Sequence, residues 1–197
     1  MLPPNKVTDR RSKRTQDFLR QALVTLIHEK PYDSIAVREI LDRANVGRST
    51  FYTHFRDKDD LLVSSIHDML GSVRSADPSS PASRYERILW FSLPIFQYQQ
   101  QHRHIGGARM GTRGRAILHD HLRKVLADLI ADAVKKEFQR PRRAAGQVSA
   151  DLVVSYISST FILVLDWLVA SRTSLSPKAA DELFRSLVMP TLAAIWA

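Results

Sequence analysis

The chain has 197 residues, enough to bury a sizeable core in one domain or two small ones. Without a single cysteine it can form no disulfide, no cysteine-ligated zinc site and no thiol redox sensor. A net charge of +9 and a pI near 10.2 are the bias of a protein that meets polyanions, and seven glycines with no strand-like alternation point to an all-α chain.

Residues 1–11 read as a basic flexible tail, with Pro3, Pro4 and little that could pack. The tail lacks the apolar core of a signal peptide, so a soluble cytoplasmic protein is expected. Lys6, Arg10, Arg11, Lys13 and Arg14 cluster where it meets the first helix. The plain meaning is a solubilising end; the functional one is an arm laid along a DNA backbone. The first helix spans Ser12 to Glu29, with Phe18, Ala22, Leu23, Leu26 and Ile27 on its apolar face. Pro31 ends it, because proline disfavours helix in the residue before it.

Two short helices separated by a tight turn follow. Val37, Ile40, Leu41 and Ala44 recur at helical spacing, and Asn45-Val46-Gly47 breaks the pattern with two residues that tolerate positive φ. The second helix, Arg48 to Phe55, buries Phe51 and Phe55 and turns Arg48, Ser49, Thr50, Tyr52 and His54 elsewhere. An apolar spine behind a polar, basic front is what a helix-turn-helix needs to enter a major groove. Asp57 caps the next helix, whose packed face runs from Leu61 through Leu62, Ile66, Met69 and Leu70 to Val73. A linker of composition Ser75-Ala76-Asp77-Pro78-Ser79-Ser80-Pro81 closes the region.

This run resembles the DNA-binding motif of the tetracycline-repressor (TetR) family of bacterial transcription regulators. The positions that carry the resemblance are Val37, Arg38, Glu39, Ile40, Ala44, Val46, Thr50, Phe51, Tyr52, His54, Phe55, Lys58 and Leu61. The sequence departs from the pattern where Ala36 replaces a capping Thr, Asn45 a turn Gly and Gly47 a capping Ser. The resemblance implies a helix-turn-helix head over residues 12–74, including a connecting fourth helix, and a C-terminal helical domain over 82–197 for effector binding and dimerisation. It implies DNA contact by Arg38, Arg48, Ser49, Thr50, Tyr52, His54, Lys58, Lys13 and Arg14. Within that set Arg48 and Thr50 are chemically suited to base edges, and Tyr52, His54 and Lys58 are expected on phosphates.

Beyond the linker, physical pattern alone guides the reading. Ser83 to His102 reads as an aromatic-rich helix bent or broken by Pro94, and Gly106, Gly107, Gly111 and Gly114 as an irregular segment or a broken short helix. Further helices are expected from Ile117 to Phe138, from Val148 to Ala170, and after Ser176-Pro177, where Pro190 would kink the last turns. The longest apolar stretch, Tyr156 to Ala170, reads as too short for a bilayer. Two apolar C-terminal helices suit a self-associating four-helix bundle. Trp90, Phe91, Phe96, Tyr98, Met110, Tyr156, Phe161 and Trp167 are either core or the lining of an effector pocket.

His102, His104, His119 and His121 form no helical chelate, since residues two apart face different ways. No catalytic triad, nucleophile elbow or phosphate loop occurs. The basic run between Arg103 and Arg143 is a solvated surface or a mouth for an anion. The expectation is therefore a homodimeric repressor on a near-palindromic operator, released by a small apolar or anionic effector. No enzyme, cofactor, metal or membrane role is expected. The rival reading is an interaction protein that grips a protein partner through its aromatic C-terminal helices.

Overall fold

Helix follows helix through the computed structural model, which describes residues 6–74, 83–101, 110–139, 148–171 and 174–196. The expectations for Pro3 and Pro4, the 75–81 linker, His102, His104, Gly106 and Gly107 lie outside the described residues. So do Arg103, Arg109, Arg140, Arg142 and Arg143. The chain divides into two compact units, Met1–Asp68 with Gly107–Leu118, and Met69–Gly106 with His119–Ala197.

In the first unit α1 runs from Lys6 to Glu29. The expected flexible tail is thus corrected from Lys6 onward: no proline or glycine falls between Lys6 and Glu29, so nothing stops the helix short. Its buried stripe is Leu19, Ala22, Leu23, Leu26 and Ile27. Phe18, expected in that stripe, is 45% exposed, because it lies one residue off a stripe centred on Leu19 and Leu23. A single 3-10 turn, Tyr32–Ser34, makes the corner and buries Tyr32 completely. α2 (Val37–Ala44) starts on Ala36, which has no capping side chain; the Glu39 carboxylate accepts the Ala36 N–H instead, at 2.9 Å. Asn45 then turns the chain in the left-handed region (φ 52°, ψ 47°), and α3 (Arg48–His54) leaves from Gly47. Ile40, Phe51 and Phe55 form the interior of the motif. α4 (Lys58–Arg74) is capped by Asp57, whose carboxylate accepts from the Asp60 N–H at 2.8 Å.

α7 (Gly111–Phe138) begins six residues before the expected Ile117, and its first turns belong to the first unit. Two glycines explain why. Gly111 sits at φ +67°, and a Cβ there would fall 2.5 Å from an Asp33 carboxylate oxygen; at Gly114 it would fall 2.9 Å from the Tyr32 ring. Residues read as a helix breaker are instead what lets a helix start approach the corner.

In the second unit the expected Ser83–His102 helix is two helices, α5 (Arg84–Leu89) and α6 (Ser92–Gln101). Pro94 sets the break: its nitrogen cannot donate to the Trp90 carbonyl, so the chain turns at Trp90–Phe91 and Pro94 falls in the first turn of α6, where no donor is needed. The Leu89 carbonyl freed by the break accepts from Arg185, and Ser92 bridges Leu89 and Asp181. α8 (Ala150–Ala170) and α9 (Pro177–Ile195) start on the hydroxyl caps Ser149 and Ser176. α9 continues through Pro190, and the Leu187 carbonyl beside that proline takes a hydrogen bond from the Tyr156 hydroxyl at 2.9 Å. α8 corrects the reading of its apolar stretch: as a helix it has 21 residues and the hydropathy to cross a membrane by length and composition. Its Val153, Val154, Ile157, Phe161, Ile162 and Val164 are buried in the protein instead. The core there is a ring cluster, with Phe161 4.9 Å from Phe96, 5.2 Å from Phe91 and 5.3 Å from Phe184.

Candidate nucleic-acid interface

α3 has seven residues and no acidic side chain. Phe51 is buried and Phe55 follows just past the last turn, packed 5.8 Å from it, so one edge of the helix is pinned to the head. The opposite edge presents Arg48, Ser49, Thr50, Tyr52 and Thr53 to solvent. Thr53 was not anticipated; its hydroxyl donates to the Ser49 carbonyl at 3.0 Å, which leaves its methyl outward. The signal was present in the sequence, since Thr53 stands four residues after Ser49 on the same face.

The other expected contact residues divide. Arg38 is exposed, with a loose partner in Asp42 at 3.8 Å, and Lys13 and Arg14 are exposed on α1. His54 is half-buried and faces α1, with Nδ1 3.4 Å from the Gln16 amide nitrogen. Lys58 departs most from expectation. Its ammonium donates to the carbonyls of Ile35 (2.9 Å), Tyr32 (3.0 Å) and Asp33 (3.3 Å) and sits 4.6 Å from the centre of the Tyr32 ring. The carbonyls of the 3-10 turn and its exit converge on the nearest cation, and Lys58 donates to three of them at once. It is a corner brace rather than a solvent-facing anchor.

The same corner holds a charge network that sequence reading passed over. The Tyr32 hydroxyl donates to Asp59, and Arg113 from α7 donates to the other Asp59 oxygen. Burial first, and then the Asp59 carboxylate, push the Tyr32 phenol far above its usual range. Asp59 lies below its usual value. Burial works against that, but the Tyr32 and Arg113 hydrogen bonds outweigh it. Arg113 is largely exposed, and its hydrogen bond to Asp59 raises its pKa above the usual value. Nothing in local sequence pattern joins Asp59 to a residue 54 positions away.

The stretch that builds this surface also has known relatives. The family model described as bacterial regulatory proteins, tetR family, matches residues 19–64, from mid-α1 through the two-helix motif into α4. Over that span the chain is similar to the tetR family. Over 62 residues, 31% of this chain, it is 37% identical to YxbF, an HTH-type transcriptional regulator of Bacillus subtilis, and it spans 16% of that regulator's length. The fold extends the likeness to nearly the whole chain. A TetR-family transcriptional regulator from Syntrophomonas wolfei superposes with a TM-score of 0.65 at 20% identity, over 92% of this chain and 96% of that one. RolR, solved in complex with resorcinol, superposes with a TM-score of 0.62 at 21% identity, over 93% and 89%.

The residues weighed as core or pocket lining divide between these settings. Phe91, Phe96 and Phe161 are in the ring cluster, Trp90, Tyr98 and Tyr156 are half-buried, and Trp167 is largely exposed. Met110 is buried in the first unit. The cavity bordered by Phe96, Gln99, Leu168 and Leu175 holds about 20 Å³, the room of a single water. No group of three metal-binding side chains occurs among the described residues, and His119 is instead bonded to Asp166 at 2.8 Å.

Proposed function

We propose that this protein is a sequence-specific DNA-binding transcription regulator of the cytoplasm that works as a homodimer and represses until a small effector releases it. The observation that carries the reading is the acid-free outer edge of α3, braced by buried Phe51 and Phe55 inside the tetR-matched span. Arg48 grips guanine and Thr50 offers a methyl and a hydroxyl to a neighbouring base. Arg38, Ser49, Lys13 and Arg14 meet phosphates and fix register. Lys58 and His54 support the motif from within.

Dimerisation follows from the outer rows of α8 and α9. Leu152 (58% exposed), Leu163 (65%) and Trp167 (48%) share one face of α8, and Leu187 (46%) stands on α9 next to the Tyr156 bond that joins the helices. Large apolar groups in such a row call for a partner, and a second copy completes a four-helix bundle with two-fold symmetry. That symmetry calls for a near-palindromic operator. The effector is the part of the proposal that kinship supports most: RolR, of the same fold, was solved with resorcinol. A ligand of that size needs the packing around Phe96 and Leu168 to part.

The test combines selection of bound duplexes from random DNA with the mass of the free protein. An enriched two-fold site and a mass of two chains are expected. A single-chain mass with no duplex preferred at modest ionic strength refutes the proposal, and capture of a protein partner in its place returns the interaction-protein reading.

A further inference from the structure

We infer that Tyr52 is a positioning residue whose ring holds the Arg48 guanidinium ready for a base edge, an inference that rests on the DNA-reading role of α3. Arg48 stands one turn before Tyr52, and its guanidinium carbon lies 5.7 Å from the Tyr52 ring centre. The ring is itself held: it meets Phe51 edge-on at 5.2 Å and 89°, and Phe51 is fully buried. The order core, ring, guanidinium leads outward from the fold to the tip of Arg48.

Four other arginines of the helix-turn-helix region and its supports meet carboxylates. Arg20 pairs with Asp17 at 2.8 Å, Arg43 with Glu29 at 2.7 Å, Arg56 with Asp60 at 3.6 Å and Arg38 with Asp42 at 3.8 Å. No carboxylate pairs with Arg48 among the described residues. The difference is chemical. A carboxylate orders a guanidinium by occupying its N–H fork and cancelling its charge, whereas a ring face orders it and leaves both available. A base reader needs its fork free for guanine O6 and N7. The same arrangement recurs in α1, where Arg14 lies 5.4 Å from the centre of the Phe18 ring. This second pair gives the exposed Phe18 a purpose that core packing does not.

Tyr52 thus acts through its π face, and its hydroxyl is dispensable. The experiment compares binding and base preference, at one salt concentration, for the full-length wild type and for Arg48→Ala, Tyr52→Phe, Tyr52→Leu, Tyr52→Ala and the Arg48→Ala/Tyr52→Ala double variant. Tyr52→Phe should bind within about twofold of wild type with unchanged preference, since the ring remains. Tyr52→Leu and Tyr52→Ala should lose roughly three- to thirtyfold and relax the same base position that Arg48→Ala relaxes. The double variant should bind no more weakly than Arg48→Ala alone. Tyr52→Phe falling as far as Tyr52→Leu would identify a hydroxyl-to-phosphate anchor and overturn the inference. So would losses in the double variant that multiply. If the wild type prefers no duplex, the regulator reading itself fails.

Discussion

Replacing Gly114 with alanine sets two known effects against each other, and the structure decides the sign. In an open helix the change gains about 1 kcal/mol, because alanine loses less backbone entropy than glycine. At Gly114 the new Cβ would stand 2.9 Å from Cδ1 and 3.2 Å from Cγ of Tyr32. That ring has nowhere to retreat: it is fully buried, its hydroxyl is tied to Asp59, and the Lys58 ammonium lies 4.6 Å from its centre. Forcing a methyl into a packed site costs about 1–3 kcal/mol. The net result is a loss near 1 kcal/mol. Gly71, on α4, is the matched control, since a Cβ there meets nothing within 4 Å among the described residues. Gly71→Ala should therefore stabilise by up to about 1 kcal/mol. At about 2–4 °C per kcal/mol for a chain of this size, calorimetry of the two variants should give melting temperatures roughly 4–8 °C apart, with wild type between them. Equal shifts in the same direction would refute the claim that α7 starts hard against the Tyr32 corner.

Other consequences are as direct. Lys58→Ala should lower the melting temperature and leave the slope of log affinity against log salt unchanged; a slope smaller by about one would make Lys58 a phosphate contact after all. Leu163→Glu, at the most exposed of the large apolar positions, should sediment as a single chain and lose operator affinity, and a persisting dimer would exclude this face. Asp181→Ala leaves the Ser92 hydroxyl and the Arg185 cation with the Leu89 carbonyl alone, in place of the Asp181 carboxylate that holds them at 2.5 and 2.7 Å, and should cost about 2 kcal/mol in denaturant unfolding; a wild-type midpoint would refute it. Asp59 is held below its unfolded value, so its contribution is complete above about pH 4 and drains away as pH falls further. Asp59→Asn should flatten that acid limb of the stability curve, and an unchanged limb would assign it to other carboxylates.

How much of this was legible depended on whether a feature is local. The motif was: apolar spacing at Ile40, Phe51 and Phe55 and a left-handed residue at Asn45 are consequences of neighbours three or four positions apart. The start at Ser176 and the acidic cap at Asp57 belong to the same class. What sequence could not assign was the direction of a polar side chain. Lys58 stands in the motif as an apparent phosphate ligand, and only the 3-10 turn over Tyr32–Ser34 reveals three carbonyls waiting for it. Gly111 and Gly114 misled for the same reason. A glycine marks an irregular backbone or a close approach, and the approaching Tyr32 ring is about eighty positions away.

The aromatic helices pose the sharper version of this problem. A pocket and a core ask for identical residues, large and apolar at helical spacing, so Phe91, Phe96 and Phe161 could not be sorted by type. What separates the two is the volume left over, and that is a property of how rings interlock. Here Phe161 touches three other rings and the neighbouring cavity admits about one water. Trp167 shows the converse, since it stands on the outer row with Leu163, the face proposed for association. An effector can bind amid such packing only by paying to separate the rings, so it must favour a second arrangement of these helices over the packed one.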